Sequence, residues 1–228
     1  MLNLKVLGTG SSGNCYLLEY GERTLILDCG INYKEILVGL DFNIKKIDAV
    51  LCTHFHSDHV LSASKFEKMG IPVWKPYLET EKKIQKKVFG EFTVTCFDVP
   101  HDGVENRGFL IQVGEEKLLY VTDFEYIPYN FKKQKINYML IECNYIKELV
   151  DMDAENFNHV FRGHAELQTT IDAIKANYTN ELCNVIICHI SSQNMDKDKL
   201  LNELKKMSNC DVKIAHKGME EVLSLVPF

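Results

Sequence analysis

The chain has 228 residues, with 26 basic side chains against 32 acidic ones and a formal charge of −6. Hydrophobic residues make up 46% and charged residues 25%, the proportions of an ordinary globular protein. These figures exclude a disordered chain, a basic coat for nucleic acid, and a chain too short to bury its own core. One domain over residues 1–228 is expected. No apolar run approaches the roughly 18 residues that span a bilayer, and the start MLNLKVLGTG lacks a secretory pattern. A cytoplasmic protein with no membrane association is therefore expected.

In chain order, Leu4 to Leu7 predicts a strand and Gly8 to Asn14 a small-residue loop. Cys15–Tyr20 and Thr24–Leu27 read as a hairpin across Gly21-Glu22, ending at Asp28-Cys29-Gly30. A helix over Tyr33 to Leu40 and a strand over Ala49 to Cys52 follow. Val73 marks a short strand, Glu79 to Val88 a polar Lys-rich helix, and Phe92–Val99, Phe109–Val113 and Lys117–Val121 strands. Met139–Glu142 predicts a strand, Leu167–Asn177 a helix, Val185–Cys188 a strand, and Lys197–Lys206 a helix. Val212–Ala215 is expected as the final strand. Strands outnumber helices, and helices fall singly between them, which predicts two mixed sheets packed face to face with helices outside.

Eight cysteines are scattered without a C-x-x-C pair, mostly inside apolar segments. They read as reduced, buried small hydrophobes. Histidine carries the chemistry instead. His54-Phe55-His56-Ser57-Asp58-His59 places four donors in six residues directly after an apolar strand. Imidazole and carboxylate suit Zn, Mn and Fe, and alternate spacing lets side chains face two neighbouring ions. Further donors stand after other strands: His101, Asp123 and His189.

The order H-x-H-x-D-H, then His, Asp and His, resembles the metallo-β-lactamase superfamily. That resemblance implies an α/β fold, the αββα sandwich, and a dinuclear centre. His54, His56 and His101 would hold one divalent ion, and Asp58, His59 and His189 the second, with Asp123 bridging. Zn is the expected metal, with Mn as an alternative. Gly8-Thr9-Gly10-Ser11-Ser12-Gly13-Asn14-Cys15 resembles the opening of the WalJ/YycJ-type group. Arg162-Gly163-His164-Ala165-Glu166-Leu167 is similar to loops of that group and of ribonuclease Z, where the loop histidine protonates the leaving oxygen. Glu142-Cys143-Asn144-Tyr145 is also similar to a segment of that group, with Tyr145 where the group has histidine.

These likenesses imply a phosphodiesterase in which Asp58 orients the attacking water and His164 is the general acid. They make Ser12, Asn14 and Asn144 candidate substrate contacts. A helix N-terminus beside His164 would add an anion site. The partner is then a nucleotide or nucleic-acid phosphodiester. No basic arm is visible, and the negative charge favours a small 3′,5′-cyclic mononucleotide, as in anti-Pycsar enzymes, which are homodimers. Alternatives are a WalJ/YycJ-like nuclease, a glyoxalase-type thiolesterase, and a nucleotide binder without turnover. The aromatic stretch Phe124 to Phe131 is suited to stacking a base, or else to packing as a loop or a dimer contact.

Overall fold

The computed structural model describes residues 1–79, 81–151, 153, 157–206 and 210–225. Two mixed sheets pack face to face. The first holds β1 (Leu2–Gly8), β2 (Cys15–Tyr20), β3 (Arg23–Leu27), β4 (Ile47–Leu51), β5 (Val73–Trp74) and the last strand of the chain, β13 (Glu220–Leu223). Its order is β13-β1-β2-β3-β4-β5. The second contains β6 (Ile84–Phe89), β7 (Phe92–His101), β8 (Val104–Val113), β9 (Glu116–Val121), β10 (Tyr138–Glu142), β11 (Asn184–Cys188) and β12 (Asp211–Ile214). These run β12-β11-β10-β9-β8-β7-β6.

Side-chain alternation builds the layers. In β9, Leu118 and Tyr120 face the other sheet, while Leu119 and Val121 face outward into a second core. The inner core joins Leu4, Leu18 and Leu51 of one sheet to Val94, Phe109 and Leu140 of the other. Outside the first sheet lie α1 (Tyr33–Gly39) and α3 (Ala63–Lys68), burying Ile36 and Phe66 against Ile26 and Val50. Outside the second lie α5 (Leu167–Asn177) and α6 (Lys197–Lys205), burying Ile171 and Leu200 against Ile141 and Ile187. Two short helices, α2 (Ser57–Val60) and α4 (Phe157–Gly163), stand at the strand ends. Strands β4 and β10 are buried along their whole length, as expected of parallel strands covered on both faces.

The sandwich and most predicted elements are present. One segment differs: Glu79 to Val88 is no helix, because Ile84–Phe89 forms β6, antiparallel to β7. Thr80 lies outside the described residues. The Lys-rich composition reads as a solvated helix face, but Lys86 and Lys87 instead blunt the open edge of the sheet. Val212–Ala215 is also not the final strand, since β13 returns to pair with β1. All eight cysteines are free, and six of them are buried. Among the described residues, no helix is long and apolar enough to cross a membrane.

Strand direction positions the site. Strands β9 to β12 are parallel, and β7 shares their direction through two antiparallel steps across β8. Their C-terminal ends therefore deliver Asp123, Glu142, His189 and His101 to one edge. In the first sheet β3 and β4 are parallel and β1 is twice antiparallel-related to β3, so the loops after β1, β3 and β4 also share an edge. The two edges coincide: the His189 amide donates to Thr9 Oγ1 at 3.0 Å.

Candidate metal centre

Three donor groups converge at this shared edge: His54, His56 and His101; His54, His59 and Asp123; and Asp123, Glu142, His164 and His189. Within each, the donor atoms lie within 4.8 Å of one another. The residues come from both sheets, so the centre exists only once the sandwich has closed. Asp28, Asp123 and His189 each take left-handed backbone at φ 54°, 54° and 50°. Asp visits this region more easily than most residues, whereas His189 is held there by its surroundings. At all three positions the turn follows immediately or closely on a strand.

Hydrogen bonds fix which imidazole nitrogens are left for a ligand. His101 Nδ1 donates to the Gly163 carbonyl at 2.6 Å, which leaves Nε2 with a lone pair. That Nε2 is 3.4 Å from His56 Nδ1, which in turn is 3.0 Å from His54 Nε2. His54 Nδ1 meets Thr53 Oγ1 at 3.0 Å, and that hydroxyl donates to the Asp28 carboxylate. Three ring nitrogens thus crowd one point. Burial pushes His54 well below the usual imidazole range, with neighbouring His59 adding to the effect, and pushes His101 down to about 4. Neutral imidazoles with converging lone pairs suit a cation.

The other side is rich in carboxylates. His59 Nδ1 donates to Asp28 Oδ2 at 2.8 Å, while its Nε2 lies 3.2 Å from Asp123 Oδ2 and 3.3 Å from Asp58 Oδ2. Burial alone would lower His59, but Asp123 and Asp28 hold it well above the ordinary value. Burial would raise Asp123, yet His189 and His59 keep it well below the carboxylate range. His189 Nδ1 sits 2.9 Å from Asp123 Oδ2. Imidazole nitrogens and carboxylate oxygens at these separations are donors that a divalent ion can share. The His/Asp cluster fits a divalent metal.

His164, between α4 and α5, is brought into the same cluster. Its Nδ1 is 2.7 Å from Glu142 Oε1 and 3.3 Å from Asp123 Oδ1. Burial opposes its charge, but Glu142 and then Asp123 raise it to about 9. The anion site expected at the helix beside it is absent. Helix α5 begins at Leu167, and its N-cap Glu166 turns its own carboxylate onto the Gln168 amide at 2.6 Å. A carboxylate already occupies the positive end, so a phosphate is repelled there.

A cavity of about 430 Å³ opens over the cluster, lined by His56, Asp58, His101, Asp123, His164 and His189 among others. Asn144 lines it as well and donates to the His189 carbonyl at 2.9 Å. Ser12 does not: it is exposed, and of the two loop serines it is Ser11 that lines the wall. Both serines lie in the tight turn between Gly10 at φ 90° and Gly13 at φ 130°. Asn14 is fully buried, with its Nδ2 3.0 Å from His59 Nε2 and its Oδ1 accepting from the Gly10 amide. It braces the loop against the cluster from inside.

Two site residues carry no assignment in the sequence reading. Asp28 is fully buried and also accepts from Thr53 and, at 2.6 Å, from the Tyr120 hydroxyl. Its signal was available, since it follows an apolar strand as Asp123 does. Glu142, fully buried, accepts from the Phe124 amide at 3.1 Å and holds His164. Only its place at a strand end pointed to it.

Residues 8–123 match the model of the metallo-β-lactamase superfamily, and the chain belongs to that superfamily, as a hydrolase with nuclease and phosphodiesterase relatives. The exodeoxyribonuclease YycJ of Bacillus anthracis is 26% identical over 235 residues, 91% of this chain and 87% of that protein. The anti-Pycsar protein Apyc1 of a Paenibacillus strain is 43% identical, but over 65 residues, 26% of each chain. The metallo-β-lactamase fold protein YhfI of Bacillus subtilis superposes with a TM-score of 0.75 at 20% identity, covering 96% of this chain and 98% of that one.

Proposed function

We propose that this chain hydrolyses phosphodiester bonds of nucleotides or nucleic acid, using two divalent ions held by its histidine–carboxylate cluster. His54, His56 and His101 would hold one ion, Asp58, His59 and His189 the other, and Asp123 both. Zn and Mn suit these donors. When bound, such ions provide a nucleophilic water at neutral pH and Lewis acidity at a phosphoryl oxygen. The single observation that carries the reading is the Glu142–His164 pair beside Asp123. It sets a protonated imidazole at the edge of the donor cluster, within the cavity.

The chain's own residues divide the work. Asp58, a quarter exposed in the cavity wall, accepts a hydrogen bond from the attacking water and orients it. Glu142 accepts from His164 Nδ1, which leaves Nε2 as the proton donor to the leaving alkoxide. A thiolate departs without a proton, so thioester hydrolysis calls for no acid on this side, whereas an alkoxide does. Likeness over nine-tenths of the chain to an exodeoxyribonuclease supports a linear strand as substrate. The 43% stretch shared with Apyc1 supports the second reading, a cyclic mononucleotide.

Metal-loaded protein should cleave a single-stranded DNA oligonucleotide. His164→Ala should lower that rate by about 10²- to 10⁴-fold. A p-nitrophenyl phosphodiester, whose leaving group needs no proton, should lose far less. Equal losses on both substrates would remove His164 as the acid.

A further inference from the structure

A second cavity, of about 640 Å³, adjoins the first, and His164 lines both. Its other walls come from four segments, one of them the start of α5 with Glu166 and Thr169. Glu125 and Tyr126 follow Asp123, Tyr145 and Lys147 follow β10, and Phe161 and Arg162 belong to α4. Tyr126 and Phe161 are 53% and 49% exposed, which is unusual for large aromatics at the edge of a buried charged cluster. Arg162 and Lys147 are exposed in the same cavity. Of its two carboxylates, Glu166 is engaged in capping α5. Glu125 remains, an acceptor suited to an exocyclic amino group rather than to a phosphate.

We infer that this cavity is the subsite for the nucleotide released on the far side of His164, which makes a single-stranded oligonucleotide the substrate. The inference rests on the phosphodiesterase reading of the metal centre. Tyr126 and Phe161 offer π-faces to the departing base, and Arg162 and Lys147 meet the phosphate that follows it, the combination by which proteins track single strands. In the reaction, the water oxygen bonds to phosphorus, its proton passes by way of Asp58 to solvent, and the phosphorus–oxygen bond to the departing sugar breaks. That alkoxide takes its proton from His164, at the boundary between the cavities. A 3′,5′-cyclic mononucleotide has one base and one phosphate, and its leaving oxygen stays on the same sugar. With its phosphate at the metal centre it leaves Arg162 and Lys147 without an anion.

Binding tests the subsite independently of turnover. Fluorescence anisotropy with a labelled single-stranded hexadeoxyadenylate, on EDTA-treated protein, should show Tyr126→Ala/Phe161→Ala binding about tenfold to a hundredfold more weakly. Arg162→Gln/Lys147→Gln should reduce the slope of log K against log salt by about 1.4, or about 0.7 for each cation removed. If the alanine pair melts at a lower temperature than wild type, Tyr126→Leu/Phe161→Leu keeps the apolar bulk without the π-face and should show the same loss. Absence of binding by wild type overturns the subsite, as does unchanged affinity and salt slope in the variants. The hydrolytic reading fails separately, if metal-loaded wild type leaves both bis(p-nitrophenyl) phosphate and the oligonucleotide intact.

Discussion

The two halves of the histidine cluster use the same side chain in opposite electrostatic settings. His54, His56 and His101 face each other with no carboxylate in their group, and burial keeps His54 and His101 neutral. His59, His164 and His189 are interleaved with Asp28, Asp58, Asp123 and Glu142, and there His59 and His164 hold their protons. One half offers lone pairs ready for a cation, while the other must give up protons to take one. A run of histidines therefore says little about charge until the neighbouring strand ends are known.

The largest expected effect comes from deleting the half without carboxylates. His54→Ala/His56→Ala should bind one ion per chain where wild type binds two, measured by metal analysis after gel filtration. Its rate in the proposed phosphodiester hydrolysis should fall by more than the roughly 100-fold that loss of a partner behind a metal ligand costs. Two ions retained by the double variant would mean that the carboxylate-rich half holds both and that the two halves are not separate ion sites.

A smaller effect is expected at Asp28, which binds no ion in this scheme but anchors His59 through Nδ1. Asp28→Asn should weaken metal affinity by about 10- to 100-fold, read by competition with a chelating dye, with the fold intact. Unchanged affinity would make Asp28 a core residue only. Asp28 also marks how far the sequence could be read. The local grammar of an apolar strand followed by a donor exposed His101, Asp123 and His189, because those elements repeat it openly. The same grammar stood at Thr24 to Asp28, yet an aspartate after a hairpin is just as well a turn residue. Only the closed sandwich brings it to His59. Glu79 to Val88 was misread for the converse reason: its lysines satisfy a helical surface pattern, while the pairing with β7 that makes it a strand is non-local. The exchange of Ser12 for Ser11 in the cavity wall likewise depends on turn dihedrals that a run of small residues does not specify.

The finest test of the contrast is a pH profile of the acid role proposed for His164. His164 is raised to about 9, so its protonated form persists through neutral pH and is lost as pH climbs past that value. Activity on an alkyl leaving group should therefore show an alkaline limb. Of the two carboxylates that raise it, Asp123 also faces His59 and His189, and a divalent ion there would offset its charge. Glu142 is left as the group that keeps His164 protonated. Glu142→Gln retains an acceptor for Nδ1 but removes the charge, so the His164 value should fall toward 6.5 and the alkaline limb should move down with it. Activity at the acid end should change least, because His164 is protonated there in both proteins. A limb that stays in place in the variant would assign it to another group, such as the attacking water, and would leave Glu142 as a strut for the imidazole.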